Sequence, residues 1–258
     1  MDIKKEYYSN GQLKVEEGYK NGKLDGLCKE YYENGQLKSE AVFKNGELGG
    51  PSKKYYENGQ LWEEESFKNG EFEGQARQYY KNGQLKSEGI YKNGKKEGLF
   101  KEYDENGQLQ DEGVYKNGKL ELSKEYYASG QLKSEVVFKN GEPDGLSKKY
   151  HENGQLWEEE SFKNGNNHGL SRHYYANGQL DFKTEYRDGK QHGLRQDYYE
   201  NGQLWGEESF KNGELEGTSR FYYENGQLKK EAVYEHGELV EPAREYDENG
   251  NLKKEKGK

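Results

Sequence analysis

The stretch from Leu27 to Gly50 reads LCKEYYENGQLKSEAVFKNGELGG and contains both kinds of turn that recur in this chain. The first turn is Glu33-Asn34-Gly35 and the second is Asn45-Gly46. Each turn lies between short segments in which apolar and polar residues alternate. Asn-Gly between alternating segments is the strongest short-range signal for a β-hairpin. The stretch therefore predicts two antiparallel strands joined by tight turns.

The same unit recurs along all 258 residues. First-turn glycines follow one another every 24 residues, with one step of 23, from Gly11 to Gly250. Second-turn glycines run in parallel from Gly22 to Gly237. A fixed period of this kind indicates a repeat architecture in which each unit contacts mainly its neighbours. We predict an all-β fold, an elongated single-sheet antiparallel β-meander of about 11 tandem 24-residue hairpin repeats, open and twisted.

One step of the array departs from the pattern. The second turn usually carries a further glycine, such as Gly26, and the segment Lys119-Leu120-Glu121-Leu122 has none. Residues 24–70 also resemble residues 119–165 closely, which indicates a duplicated block. We expect one repeat array over residues 1–258, with a bend or a changed bulge at 119–123 between two sub-blocks.

The repeats also predict how the strands pair. A three-residue loop with Gly35 in the left-handed conformation places Tyr31 opposite Leu37. If the pairing then continues one to one, Glu30 lies opposite Lys38. Opposite charges are favoured at directly facing positions, as are a cation and an aromatic ring. The equivalent pairs include Glu6 with Lys14, Glu125 with Lys133, Glu245 with Lys253, Lys54 with Trp62 and Lys149 with Trp157.

This register divides the side chains between two faces of the sheet, because successive residues of a strand point to opposite sides. One face is predicted to hold Leu27, Tyr31, Leu37, Ala41 and Phe43. The other, more solvated face is predicted to hold Cys28, Glu30, Tyr32, Lys38 and Glu40.

Composition limits the functions that the chain can serve. The 24 tyrosines and an aromatic content of 14% argue against disorder, although only 29% of the residues are hydrophobic. A net charge of −9 disfavours nucleic acid as the main partner, since phosphate binding needs a cationic surface. The same charge suits a cationic partner.

The sequence also bears on compartment. Cys28 is the single cysteine, so no intrachain disulfide can form. No apolar stretch is long enough for a transmembrane helix, and the first residues lack a hydrophobic signal core. We expect a cytoplasmic protein, or an extracellular or surface protein if a signal peptide has been removed ahead of Met1.

The recurring motif is Tyr-Tyr-x-Asn-Gly-Gln-Leu-x-x-Glu-x-x-aromatic-x-Asn-Gly. It resembles the second variety of MORN repeat over nearly the whole chain. The resemblance implies an elongated antiparallel β-meander without a family catalytic residue. Bacterial proteins of this kind are similar to YwqK-like antitoxin or immunity proteins, and others are surface or host-interaction repeats. MORN proteins elsewhere are scaffolds and membrane-proximal tethers.

The residues themselves give little sign of catalysis. His168 and His192 occupy equivalent turn positions about 10 Å apart, too far for one metal ion. Glu64 and Glu65 are adjacent on a strand and therefore point to opposite faces. We expect no catalytic residue, no metal and no cofactor.

Two rows of charge follow the repeats. A glutamate lies three residues after the turn leucine in ten of eleven repeats, and Lys183 is the exception. A cation precedes the first tyrosine by two positions at Lys5, Lys29, Lys53, Arg77, Lys101, Lys124, Lys148, Arg172, Arg220 and Arg244. The cations could bind anionic polymers or lipid headgroups. Alternatively each stem covers a ring while its charge meets an acid, such as Lys53 with Glu63 and Lys101 with Asp111. The second interpretation is favoured.

The tryptophans are the main candidates for partner binding, because large aromatics are favoured interface anchors. Each follows the turn leucine by one residue, and we expect Lys54 over Trp62 and Lys149 over Trp157. The alternative is that these rings only cover a thin sheet. The predicted protein-binding residues are Trp157, Trp205, Trp62, Tyr175, Tyr199 and His168. Trp157 and Trp205 are preferred as a pair, since the least regular turn lies between them.

These observations predict a protein-binding repeat protein that is not an enzyme. The narrower hypothesis is an antitoxin or immunity protein that binds and neutralises a cognate toxin, a basic toxin in particular. The alternative is a structural scaffold or a surface or host-interaction repeat protein that contacts a membrane or other proteins. Another protein is the expected partner, nucleic acid is not, membrane contact is the less favoured option, and the oligomeric state is left open.

Overall fold

The computed structural model describes residues 1–256, with side chains for residues 1–253. All of the regular structure described is β-strand. The chain divides into two compact units, Met1–Gly130 and Gln131–Lys258. Within each unit, consecutive strands pair antiparallel along the chain. The predicted all-β meander of hairpin repeats is confirmed.

Strands of the first unit are β1 (Asp2–Tyr7), β2 (Leu13–Lys20), β3 (Lys23–Leu24), β4 (Gly26–Tyr31), β5 (Leu37–Lys44), β6 (Glu47–Tyr55), β7 (Leu61–Lys68), β8 (Glu71–Phe72), β9 (Gly74–Tyr79), β10 (Leu85–Lys92), β11 (Lys95–Tyr103), β12 (Leu109–Lys116) and β13 (Lys119–Tyr126).

Strands of the second unit are β14 (Leu132–Lys139), β15 (Glu142–Tyr150), β16 (Leu156–Lys163), β17 (Asn166–Asn167), β18 (Gly169–Tyr174), β19 (Leu180–Arg187), β20 (Lys190–Gln191), β21 (Gly193–Tyr198), β22 (Leu204–Lys211), β23 (Glu214–Leu215), β24 (Gly217–Tyr222), β25 (Leu228–Glu235), β26 (Glu238–Leu239), β27 (Ala243–Tyr246) and β28 (Leu252–Lys256).

Both turns have the predicted geometry. In the first turn, Gly35 has φ 85° and the Tyr32 amide donates to the Gln36 carbonyl at 2.8 Å. In the second turn, Asn45 and Gly46 have φ 54° and 93°. Positive φ at both central residues is the type I′ turn whose twist matches that of the flanking strands.

A further irregularity splits several outgoing strands in two. Tyr19 pairs with Leu24, but four residues earlier Val15 pairs with Glu30, so the outgoing chain contains two extra residues. Gly26 lies at this bulge with φ 103°, a conformation that glycine adopts without strain. The same break in six repeats explains why short strands such as β3 precede longer ones such as β4.

The glycine-free segment forms a different bulge. In β13, Leu122 pairs with Val114 and Leu120 pairs with Tyr115, which leaves Glu121 as a single extra residue. A one-residue bulge does not interrupt the strand, and β13 runs unbroken through this point. The changed bulge is confirmed, and the bend at 119–123 stays a prediction.

Strand register is confirmed at the turn and wrong beyond it. Tyr31 lies opposite Leu37 as predicted, but Glu30 then lies opposite Ser39 because Lys38 is an extra residue. Bulges of this kind leave two residues of one strand facing one residue of the other. The Lys38 ammonium nevertheless reaches the Glu30 carboxylate at 2.7 Å.

This one-residue shift corrects the predicted faces, since a slip of one residue moves a strand's side chains to the other side. Ala41 lies opposite Cys28 and Glu40 lies opposite Lys29. The prediction that Ala41 and Phe43 share a face with Tyr31 is therefore wrong. We call the side of Cys28, Glu30, Ser39, Ala41 and Phe43, with their equivalents, the core face. The charged face carries Leu27, Lys29, Tyr31, Glu40 and Val42, with their equivalents.

Burial identifies the core face as the packed side of both units. The buried residues other than glycine all lie on it: Ser52, Glu63, Ser147, Glu158, Ser171, Thr184, Asp197, Ser219, Ala232 and Ala243. In the first unit the aromatic rings of this face contact one another in sequence, at centroid distances of 4.6–5.3 Å, from Phe67 through Phe72, Tyr91 and Phe100 to Tyr115.

Two adjacent residues test the assignment of faces. Gly89 lies on the core face, and an added Cβ would stand 2.2 Å from the Phe100 ring, so we expect Gly89→Ala to destabilise the protein by about 1–3 kcal/mol. Ile90 lies on the charged face and is 52% exposed, so Ile90→Ala should change stability by about 0.5 kcal/mol or less. Urea unfolding of both variants measures the difference, and similar losses would contradict the face assignment.

Candidate protein-binding surface

The second tyrosine of each pair holds neighbouring repeats together. Its hydroxyl donates to the carbonyl of the first tyrosine in the next repeat, at 2.7 Å from Tyr8 to Tyr31 and at 2.7 Å from Tyr32 to Tyr55. In the second unit, Tyr175, Tyr199 and Tyr223 donate in the same way at 2.7–2.9 Å. We call the margin of each unit formed by these tyrosines and the first turns the tyrosine edge. These tyrosines therefore have a structural role, and they are only half-buried.

Replacements of the second tyrosine keep part of this role. His151 places Nε2 3.3 Å from the Tyr174 carbonyl. Asp104 instead accepts from the Asn106 and Gln108 amides of its own turn at 2.8 and 2.9 Å. Hydrogen bonds from the Gln108 and Asn106 amides hold the pKa of Asp104 below its ordinary value.

Trp62 lies on the tyrosine edge of the first unit with 41% of its surface exposed. The Lys54 ammonium lies 5.5 Å from its ring centroid, as predicted, and the Tyr56 ring lies 6.1 Å away. The same ammonium binds Glu63 at 2.6 Å, and Glu63 is only 7% exposed. The buried Glu63 carboxylate thus fixes the more exposed lysine that supports the tryptophan ring.

Trp157 has the same surroundings in the second unit. It is 41% exposed, with the Lys149 ammonium 5.7 Å from the ring centroid and the His151 ring 5.9 Å away. Lys149 binds the buried Glu158 at 2.6 Å. The identical segments at 61–70 and 156–165 explain this agreement.

Trp205 is as exposed as the other two, at 40%, but it is held differently. Asp197 and Gly206 occupy the positions that lysine and glutamate hold beside Trp157. The Trp205 ring packs edge-on against Phe221 at 5.6 Å. Asp197 binds Arg195 at 2.6 Å instead.

Sequence reasoning missed the buried acids Glu63 and Glu158, because alternation alone does not tell a buried glutamate from a solvated one.

The structure brings four of the predicted residues to one edge of the second unit. Trp157, Tyr175, Tyr199 and Trp205 lie in consecutive repeats along its tyrosine edge, joined by the tyrosine hydrogen bonds. Two repeats separate the tryptophans, about 19 Å at ordinary strand spacing. Trp62 lies in the other unit.

His168 does not join this group. It follows the second turn, at the opposite end of the strands, where its amide donates to the Ser161 carbonyl at 2.8 Å. Its Nδ1 lies 3.5 Å from the Asp188 amide and 3.4 Å from that carboxylate. Asp25, Glu73 and Glu97 accept an amide of the next turn in the same way. The His168 imidazole therefore occupies the position from which an acidic side chain of other repeats accepts a backbone amide of the next second turn. Its role in binding stays a prediction.

Most cations of the row are paired with acids, as the favoured interpretation predicted, but each contacts the acid one residue beyond the predicted one. Lys53 meets Glu64 at 4.0 Å rather than Glu63, and Lys101 meets Glu112 at 3.7 Å rather than Asp111. The bulge after the turn leucine causes this shift.

Glu65 is the acid with the most perturbed titration near Trp62. Burial on the core face, and the nearby Glu63 carboxylate, raise the pKa of Glu65 to about 7. In the second unit the equivalent Glu160 has a raised pKa for the same two reasons. The cluster at Glu65 therefore changes charge near neutral pH.

Two classes of site are not found in the described part of the chain. Residues 1–256 contain no helix long and apolar enough to cross a membrane. Among the side chains described, those of residues 1–253, no group of three or more histidine, cysteine, aspartate or glutamate residues could hold a metal ion.

Comparison with known protein families matches the MORN repeat variant to eleven segments: residues 3–21, 24–45, 48–69, 72–93, 96–117, 122–140, 143–164, 167–188, 191–212, 215–236 and 242–256. The chain belongs to this MORN repeat family. The segments cover nearly the whole chain, including the glycine-free step, where the match resumes at residue 122.

Other comparisons add little to the family. No curated protein matches the sequence. The crystal structure of TcdB2-TccC3-Cdc42 is similar at 13% identity and a TM-score of 0.21, covering 97% of this chain and 17% of that one. The Photorhabdus luminescens Tc holotoxin pore is similar at 14% identity and a TM-score of 0.20, covering 97% and 15%. This MORN chain spans less than a fifth of those proteins, and the TM-scores support no argument about function.

Glu65 and its neighbour Glu64 should affect stability in opposite directions. The raised pKa of Glu65 means that the folded protein binds more protons than the unfolded chain between roughly pH 4 and 7, so stability falls as pH rises through that window. Glu65→Gln should raise the Tm at pH 8 by about 2 °C or more and change it little at pH 4.

Glu64→Gln is the matched control. Burial alone would raise the pKa of Glu64, but hydrogen bonds from Tyr79 and Arg77 bring it below its ordinary value, so its ionised form stabilises the fold. This variant should lower the Tm at pH 8. Thermal unfolding by circular dichroism measures both variants, and a Tm for Glu65→Gln at or below that of the parent at pH 8 would contradict the argument.

Proposed function

We propose that this MORN repeat protein is a non-enzymatic protein-binding protein, and more narrowly an immunity protein that binds and neutralises a cognate toxin. The observation that carries the proposal is the presence of exposed tryptophans held in fixed surroundings on the tyrosine edge. Trp157 and Trp205 are each about 40% exposed, and both rings are packed on one side.

Rigid, half-exposed aromatic rings suit binding because little conformational freedom is lost when a partner covers them. Trp157 is supported by Lys149, which the buried Glu158 fixes in place. Between the two tryptophans, Tyr175 and Tyr199 are held by hydrogen bonds to the next repeat. This margin of the second unit therefore offers a preorganised aromatic surface.

Charge supports a basic partner. The net charge of −9 would steer a cationic protein toward the chain and raise its association rate, an effect that falls with salt. A basic toxin, such as a nuclease, has this charge because its own substrate is anionic.

Contact with a membrane or a role as a scaffold is the competing function. It would need the cations of the charged face to be available to anionic headgroups. Several of them are already bound to acids, including Arg172 to Glu159 at 2.7 Å and Arg220 to Glu231 at 2.8 Å. This pairing favours a protein partner over a lipid surface.

The aromatic pair provides the test. Trp157→Ala combined with Trp205→Ala should weaken binding at least tenfold, because both anchor rings are removed. The partner would be obtained by cross-linking and co-purification from the source cells and titrated by calorimetry. Its toxicity, and relief of that toxicity by co-expression of this chain, would test neutralisation separately.

Leu146→Ala combined with Leu194→Ala is the matched control, since these residues are also exposed in the second unit but lie on the charged face. The control should bind like the parent chain, and both double variants should keep the β-sheet spectrum. Equal affinity of the tryptophan variant and the parent would exclude this surface.

A further inference from the structure

A ladder of charged rungs crosses the charged face of each unit. In the first unit, Glu64 lies between two cations, with Lys53 at 4.0 Å and Arg77 at 3.2 Å. The Tyr79 hydroxyl from the next repeat also donates to this carboxylate at 2.9 Å. One glutamate thus lies within ion-pair distance of a cation on each flanking strand and accepts hydrogen bonds from Arg77 and Tyr79.

The second unit repeats this arrangement near its C-terminal end. Arg220 lies between Glu207 at 3.5 Å and Glu231 at 2.8 Å. The Tyr222 hydroxyl donates to Glu207 at 3.2 Å. In this pattern a glutamate occupies the position three residues after the turn leucine and contacts cations on the neighbouring strands.

Lys183 breaks the rule, since it stands where ten of the eleven repeats have glutamate. It lies directly opposite Arg172 on one neighbouring strand and opposite Gln196 on the other. Like charges at directly opposite positions of a sheet repel each other. Two cations therefore stand side by side where the ladder should alternate.

The groups around Lys183 are left with unused donors. Within the described residues, Lys183 makes no hydrogen bond or ion pair. Arg172 binds Glu159 through Nη1 alone, at 2.7 Å. The Tyr198 hydroxyl donates to the Gln196 side chain at 3.3 Å, whereas the equivalent Tyr79 and Tyr222 donate to glutamate. Glu185, on the same strand as Lys183, is exposed and forms no ion pair with it.

We propose that the carboxylate of an acidic side chain from a protein partner fills this missing rung between Arg172 and Lys183. The position that holds glutamate in ten of the eleven repeats is flanked here by the N–H donors of Arg172 and Lys183. At Glu64 and Glu231 a carboxylate accepts from the equivalent arginines. The site lies on the face opposite the Lys149–Glu158 pair and does not depend on the function proposed for the tryptophans.

The surrounding charges favour a single carboxylate over an anionic polymer or membrane. Glu159 and Glu207 flank the gap within the ladder, and Glu185 lies on the same strand. The chain as a whole carries −9. A phosphate polymer or an anionic bilayer would be repelled by these acids, whereas one carboxylate occupies only the gap.

Supplying the carboxylate from within the chain tests whether the rung is missing. Lys183→Glu should raise the Tm, because it removes the repulsion with Arg172 and restores a pair. Lys53→Glu makes the same change of charge at an intact rung and should lower the Tm. A Lys183→Glu Tm equal to or below that of the parent chain would overturn the proposal.

Binding is tested with the full chain and, as the probe, a peptide that is capped at both ends and carries a single glutamate between neutral residues. The parent should bind the peptide at least tenfold more tightly than Lys183→Glu, with Lys53→Glu within about twofold of the parent. Backbone amide shifts of 15N-labelled protein should locate the peptide on β18, β19 and β21. Equal binding by the parent and Lys183→Glu would overturn the site.

The same titration separates carboxylate from phosphate chemistry. A thymidine oligonucleotide and vesicles containing phosphatidylserine serve as phosphate-bearing probes at equal ionic strength. We expect neither to bind as tightly as the peptide. Tighter binding of either probe that is lost in Lys183→Glu would replace the protein carboxylate by a phosphate group as the occupant.

Discussion

The bulge that follows each first turn is the constraint on which the faces of this protein depend. Leu37 pairs with Tyr31, but the next residue, Lys38, has no position of its own in the ladder of strand pairs. Every later side chain of the strand therefore changes sides. Ala41 joins the core face, and Glu40 comes to lie beside Lys29 on the charged face. Without this extra residue, acids and aromatics would exchange faces in every repeat.

Neighbouring repeats contact each other differently at the two margins of the sheet, where the strands end. At the tyrosine edge, a side-chain hydroxyl reaches the main chain of the next repeat, as from Tyr56 to Tyr79 at 2.8 Å. At the other margin, the contact is mainly between backbones, as from the Gly46 amide to the Leu24 carbonyl at 2.7 Å. The first margin depends on side-chain identity, so its substitutions have structural consequences. The tryptophans are exposed at this same margin. Substitutions that change the proposed binding surface can therefore also weaken the contacts between neighbouring repeats.

Sequence reasoning reached the repeat, the two turns and the first strand pair because glycine spacing and turn chemistry are local. The assignment of side chains to the two faces was wrong, because the alternation of apolar and polar residues does not show where a strand contains the extra residue of a bulge. The lysine–tryptophan contacts were predicted despite this error, because long side chains reach across one position of register. The burial of Glu63 and Glu158 could not be read from sequence, as their neighbours in the identical strands are also glutamates. His168 belongs to the least regular turn, Asn166-Asn167-His168, and its position beside Asp188 follows from contacts between repeats.

In a repeat protein, a substitution at a consensus position points to function only when contacts within the chain do not satisfy the new side chain. Asp247 departs from the tyrosine of its position, yet it accepts from the Asn249 and Asn251 amides of its own turn, so the change is locally satisfied. His151 departs as well and keeps its contact with the next repeat. Lys183 departs without any such compensation, beside a second cation. A cation that faces another cation and has no partner within the described residues is where an interaction from outside explains the sequence best.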